Sequence, residues 1–331
     1  MKNRLNRFAE SERDLVNNMR NGIEWMQKGP YGIMVHFSSS VVDKKGNKKE
    51  FNRMADEFDV PAFMETLEKV GAKWLIFTIT HGTMMFWSEN PVIEKIIPGR
   101  CSNRDLMVEI ADACKEKGIK FMLYIPTETD GGEKSEMRKA CRWSESADKK
   151  AFMEIWMELI SYYAGKLGDR LSGWWFDCAY ESAEKSFKNT HDWNNQRFDR
   201  KRWFEAARAG NPDCKVALCR GRNDRTYVFF EQDYFAGECD DLSYVPQFAT
   251  QDGIQHHSLV WIDSYWTVGD AAGGVGIPDA PRFTDDELYS WIKANNDVGG
   301  GVTLNIGIYN DGTFIDDTID QLVRIKERLG N

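Results

Sequence analysis

Short apolar runs alternate with longer amphipathic stretches along this chain. Eight runs read as strands: 32–37, 74–80, 120–125, 173–177, 215–219, 234–238, 259–263 and 301–306. Most are almost continuously apolar, the pattern of parallel strands buried on both faces. Between them, 60–70, 104–117, 150–167, 194–209, 284–296 and 316–329 carry helical periodicity. Asp59 before Val60-Pro61 marks a helix start, and Thr284 to Glu287 fits a capping box. Gly71, Gly118, Gly168 and Gly210 follow helices in the usual C′ position. Strands with intervening helices predict an α/β fold, a (β/α)8 TIM-like barrel. The helices after strands five and six are weakly marked. Residues 1–30 read as an amphipathic lead-in helix covering the barrel's bottom. With no linker in sight, residues 1–331 form one barrel domain, and no C-terminal β-sandwich is expected after the last helix.

Composition narrows the classes. The 331 residues are 42% hydrophobic and 29% charged, an ordinary globular balance. A net charge of -9 without any basic cluster argues against nucleic acid as a partner. No apolar stretch approaches the ~18 residues of a membrane span, and the first residues lack an apolar signal region. The expected compartment is therefore cytoplasmic, or periplasmic or secreted if a leader has been trimmed. The seven cysteines (101, 114, 141, 178, 214, 219, 239) are scattered, form no CxxC pair and read as reduced thiols. A homo-oligomer is compatible with this composition.

Barrel chemistry gathers where strands end. The run Gly173-Trp174-Trp175-Phe176-Asp177 stops on a carboxylate, and burying an uncompensated charge costs several kcal/mol. Such an Asp either caps the next helix or faces an active site. The other strand ends are also polar: His36, His81, Thr127 with Glu128 and Asp130, the arginines 220, 222 and 225, Glu238, Asp263 and Asn305. No compact metal motif, no glycine-rich dinucleotide turn following a strand and no serine-nucleophile elbow is present. The expectation is no metal and no cofactor. Asp177 and Glu238, on strands four and six, are the minimum equipment for glycoside hydrolysis. Of the 12 tryptophans, Trp87, Trp175 and Trp266 are candidates for a wall against a sugar ring.

Four segments, in order and spread over nearly the whole barrel, resemble the α-L-fucosidases of glycoside hydrolase family 29. They are Gly32 to Phe37; Gly71 to Trp74 with Thr80-His81-Gly82 and Trp87; Arg104-Asp105-Leu106 with Gly118 to Tyr124; and Val302 to Gly307 with Asp311-Gly312-Thr313. The resemblance implies Asp177 as nucleophile. Through Asn223-Asp224-Arg225 and Asp233 to Glu238 it implies Arg225 and the acid/base Glu238. It also implies His36 and His81 as ligands of sugar hydroxyls. Glu231 is the reserve acid/base in this carboxylate-rich segment.

The chain departs from that pattern in three places. Gly82 replaces the second of the family's paired histidines, removing a neutral hydrogen bond worth about 0.5–1.5 kcal/mol. Ile125-Pro126 replaces Tyr-Ser, and Phe37-Ser38 replaces Trp-Gly. The implied activity is that of a retaining exo-glycosidase taking terminal α-L-fucosyl residues from an oligosaccharide or glycoside. The alternatives are the same mechanism on an α-galactoside or arabinopyranoside, a catalytically silent sugar-binding barrel, or a metal-dependent barrel hydrolase.

Overall fold

The computed structural model describes residues 22–129, 135–145, 149–179, 199–269 and 281–330. Asp130, the start of the expected helix 194–209 and most of the lead-in helix lie outside the described residues.

Eight strands form one parallel sheet: β1 (Gly32–Val35), β2 (Trp74–Thr78), β3 (Lys120–Pro126), β4 (Leu171–Asp177), β5 (Lys215–Leu218), β6 (Glu238–Cys239), β9 (His257–Trp261) and β10 (Gly301–Asn305). Their order is β5-β4-β3-β2-β1-β10-β9-β6, which curls into a (β/α)8-like barrel with its seam between β5 and β6. A small antiparallel hairpin, β7 (Thr250–Gln251) and β8 (Ile254–Gln255), sits outside that sheet. Helices Val60–Val70, Leu106–Glu116, Lys150–Leu167, Arg200–Ala207, Asp285–Asp297 and Asp316–Leu329 fall where periodicity predicts them. Thr284 closes its capping box with Glu287. No helix forms between β5 and β6 or between β6 and β9, the stretches in which helical patterning is weak. No helix of the described residues is long and apolar enough to cross a membrane.

Alternation along each strand sorts side chains between two cores. Leu75, Phe77, Leu123, Ile125, Trp174, Phe176, Val216, Leu218 and Leu304 point toward the helices and join the larger core. Their neighbours Ile76, Met122, Tyr124, Trp175, Ala217, Cys219 and Leu259 fill the barrel interior. Below them, Trp25 of the short helix Glu24–Lys28 packs edge-on against Trp74, and Met26 fills the space beside Gly301. The described end of the lead-in segment therefore covers the barrel's bottom, as expected.

Two glycines do other work than expected. Gly210 is not a left-handed helix terminus. A Cβ there would lie 1.9 Å from the Ala164 carbonyl oxygen, so the residue permits close approach of two backbones. Gly237 has φ +69°, and a Cβ on it would lie 1.9 Å from the His257 carbonyl oxygen. This turn, pressed against β9, interrupts the expected strand 234–238 and leaves β6 only two residues.

The seam is bridged by Asp233. Its N–H donates to Val216 C=O at 2.9 Å, while its Oδ2 accepts from Val216 N–H at 2.8 Å and from Arg208 Nη2 at 2.7 Å. On the other side, Gln255 N–H donates to Asp233 C=O at 3.0 Å. Burial pushes the Asp233 carboxyl up from its ordinary range, and Arg208 and Lys215 pull it back. Removing one partner of a buried pair strands the other charge, at about 3–5 kcal/mol. Asp233→Ala should lose about that much in reversible denaturant unfolding. A loss below about 1 kcal/mol would show that the seam does not depend on this carboxylate.

Candidate active site

β4 and β3 build the first half of the site. In register, Tyr124 pairs with Trp175 and Pro126 with Asp177. Trp175 and Asp177 share the inward face, and the Tyr124 ring stacks on Trp175 at 5.4 Å and 16°. Tyr124 Oη donates to Asp177 Oδ2 at 2.5 Å. The chain then turns through Cys178, a non-glycine residue at φ +63°, which aims its N–H at Asp177 Oδ1 from 2.7 Å. Thr127 donates to the Asp177 carbonyl through its N–H at 2.9 Å and its Oγ1 at 2.6 Å. Both carboxylate oxygens and the backbone of this half-exposed residue are thereby fixed. A left-handed non-glycine residue costs about 1–3 kcal/mol and persists only where its surroundings impose it.

β5 and β6 supply the other half. Glu238 is buried, and its Oε2 accepts from Cys219 Sγ at 3.0 Å. Its carbonyl accepts from Asn223 N–H at 2.8 Å and Arg225 Nη1 at 3.3 Å. Donor atoms of Asp177, Cys219 and Glu238 all lie within 4.8 Å of one another. Burial, and next the Asp177 charge, push the Glu238 carboxyl up to about 8. At neutral pH Glu238 therefore keeps its proton. Among the described residues this trio is also the group whose atoms could close around a cation.

Next to the carboxylates lies an aromatic corner. His36 is buried, 5.3 Å from His81, 4.9 Å from Tyr124 and 5.5 Å from Trp266 between ring centres. Asn305 Nδ2 donates to Trp266 C=O at 3.1 Å, so its Oδ1 faces His36 Nδ1 at 2.8 Å. His36 thus carries its proton on Nδ1 and presents Nε2 as an acceptor. Burial and the neighbouring His81 lower its pKa to about 3, keeping the ring neutral.

Some sequence candidates sit elsewhere. Trp87 is fully buried, stacked on Phe37 at 4.5 Å with its N–H bonded to the Phe37 carbonyl, so it supports the site from behind. Trp175 is 2% exposed and acts through Tyr124, whereas Trp266 is partly open. Arg225 holds the Glu238 backbone and Cys239 Sγ and lies 4.0 Å over the Tyr244 ring; no bond joins it to Asp177. Glu231 is paired with Arg200 at 3.4 Å, outside the trio of Asp177, Cys219 and Glu238. Asp263 accepts from Ser264, Gly307 and Thr318, tying the ends of β9 and β10 to the last helix. Arg220 pairs with Asp224, and Arg222 with Asp240.

Sequence reasoning missed the roles of Tyr124 and Cys219. Each ends or nearly ends an inward-facing series, Met122-Tyr124 and Ala217-Cys219, and that period of two was the available signal.

Comparison with known proteins places this architecture. Residues 17–235 match the family model described as Alpha-L-fucosidase, a span that includes Asp177 and stops just before Glu238. No curated protein matches the chain. Among solved structures, the chain is similar to the α-L-fucosidase AlfC from Lactobacillus casei in complex with α-L-fucose, at 17% identity and a TM-score of 0.64, covering 92% of this chain and 97% of that one. It is also similar to the endo-fucoidan hydrolase MfFcnA4 of glycoside hydrolase family 107, at 15% identity and a TM-score of 0.68 over 95% of this chain. The chain spans 54% of that hydrolase's length. With the family model covering most of the barrel, this chain belongs to the α-L-fucosidase family.

Proposed function

We propose that this protein is a retaining exo-glycosidase that hydrolyses terminal α-L-fucosyl residues, with Asp177 as nucleophile and Glu238 as acid/base. The observation that carries the reading is the closeness of the two carboxylates, within 4.8 Å between donor atoms, together with the raised proton affinity of Glu238. Retaining enzymes hold the pair about 5–5.5 Å apart, whereas inverting enzymes leave about 6.5–9.5 Å for a water. Asp177 attacks the anomeric carbon as Glu238 gives its proton to the departing glycosidic oxygen. The glycosyl-enzyme ester is then hydrolysed: Glu238, now a carboxylate, takes a proton from water as the water displaces Asp177. The Tyr124 and Cys178 donors hold Asp177 on line for attack. Trp266 offers the ring face, and His36 Nε2 accepts from a sugar hydroxyl. His81, edge-on to His36, takes the neighbouring hydroxyl. Arg225 serves the site by fixing the backbone of Glu238.

A second reading keeps the mechanism and changes the sugar. Gly82 stands at φ +59° beside His81 with no side chain to meet a hydroxyl, which favours a pyranose with a different substituent there. Turnover of aryl α-L-fucoside beside aryl α-galactoside and arabinopyranoside separates the two. Asp177→Ala should lower kcat on the preferred substrate by about 10³-fold or more while product sugar still raises Tm. Undiminished turnover would remove Asp177 as nucleophile, and sugar binding without turnover by the wild type would leave a silent barrel.

The raised Glu238 pKa sets the pH dependence. The acid must be protonated, so kcat/KM should fall as pH rises through about 8. The same shift destabilises the fold as pH rises between the ordinary carboxyl range and that value, because the folded state binds more protons there. Glu238→Gln should therefore raise Tm above pH 8 and change it little near pH 4. An equal Tm difference at both pH values would mean that Glu238 does not carry the shift.

A further inference from the structure

The acid/base has a partner that the reaction scheme leaves unused. Cys219 follows Ala217 on the inward face of β5, and its Sγ lies 3.0 Å from Glu238 Oε2. The Gly221 N–H donates to the same sulfur at 3.3 Å. The sulfur thus accepts from the backbone on one side, and its own proton points to the carboxyl. We propose that Cys219 is a positioning residue for the acid/base step: its thiol holds Oε2 as an acceptor and so places the catalytic proton of Glu238 on Oε1. This rests on the glycosidase reading given above.

The assignment follows from donor and acceptor inventory. Cys219 is 1% exposed, and burial with the Glu238 and Asp177 charges keeps the thiol protonated far above its usual range. With Sγ already accepting from the Gly221 N–H, the thiol proton is the one directed at Oε2. When Glu238 is the acid, Oε2 must then be its carbonyl oxygen and Oε1 its hydroxyl. Oε1 takes no hydrogen bond from the described residues and is not sealed away as a buried orphan. It is the oxygen free to meet a glycosidic oxygen.

The weakness of the thiol as a donor matters. A cation or a strong donor at this place would stabilise the carboxylate and drain the acid of its proton. An S–H fixes the orientation while leaving proton affinity high. The other charges around Glu238 are Asp177 from β4, Arg222 from the segment after β5 and Asp240 just beyond β6. Arg222 already spends its guanidinium on Asp240 at 2.9 Å.

The test compares Cys219→Ala, which removes the donor, with Cys219→Ser, which keeps one. On a glycoside with a poor leaving group, Cys219→Ala should lower kcat about tenfold, the equivalent of one lost hydrogen bond to a charged group, with KM within about twofold. Its alkaline limb should move to higher pH, because the ionised carboxylate loses a donor. Cys219→Ser should restore both. Carbon-13 titration of the Glu238 carboxyl, assigned with Glu238→Gln, reads the same contact without turnover. It should rise in Cys219→Ala and fall or hold in Cys219→Ser. Equal losses in both variants with an unmoved titration would make Cys219 a packing residue and overturn the proposal. If the wild type cleaves no glycoside, the hydrolase reading falls, and the titration alone decides whether Cys219 sets the proton on Glu238. If Cys219→Ala does not fold, the wild type against Cys219→Ser decides, since a titration that rises despite the hydroxyl donor also overturns it.

Discussion

Asp233 spans the gap in the sheet, and the distance between Asp177 and Glu238 follows from it. Among the described residues, neither edge strand, β5 or β6, has a strand partner on its outer side. Asp233 substitutes for one by bonding Val216 of β5 with both backbone and side chain, while Gln255 bonds its carbonyl from the other side. Five residues later the chain reaches Glu238, pressed against β9 by Gly237. A seam that opened by even an ångström would move Glu238 away from Asp177. It would also relieve the repulsion that keeps the proton on Glu238. The buried Arg208 partner makes opening costly, because separating the pair exposes neither charge to water.

The two carboxylates receive opposite treatment from similar elements. Asp177 is half-exposed and takes strong donors, a phenol and a backbone N–H. Glu238 is buried, and a thiol is its one side-chain donor among the described residues. Burial and the Asp177 charge both favour its neutral form. The two carboxylates thus differ in donors and depth, not in residue chemistry.

Long amphipathic segments were the most legible part of the chain. Helices Val60–Val70, Lys150–Leu167 and Asp316–Leu329 begin and end where periodicity places them. Strand ends were legible as well, because a polar residue closing an apolar run has few places to go. Asp177 and His36 were found that way. The rest depended on contacts between strands. The register of β3 on β4 brings the Tyr124 hydroxyl beside Asp177, and nothing in either run announces it. Trp87 carries the composition of a sugar-binding wall, yet its indole is enclosed between Phe37 and Phe51. The hairpin β7–β8 turns on Asp252-Gly253, both at positive φ. That dipeptide is a turn signal, but its flanks are too polar to read as strands.

Gly82 and Cys219 lie in different parts of the candidate site. Losing an imidazole at Gly82 alters what the pocket offers a hydroxyl, while His36, His81 and Tyr124 keep their mutual edge contacts. Cys219 sits between the carboxylates, where a stronger donor would lower the acid's proton affinity and an apolar residue would leave Oε2 without a partner. The requirement there is narrow: a buried group that donates weakly and fills the corner. A thiol meets it. On the proposed reading, the sugar preference and the acid strength are set by different side chains.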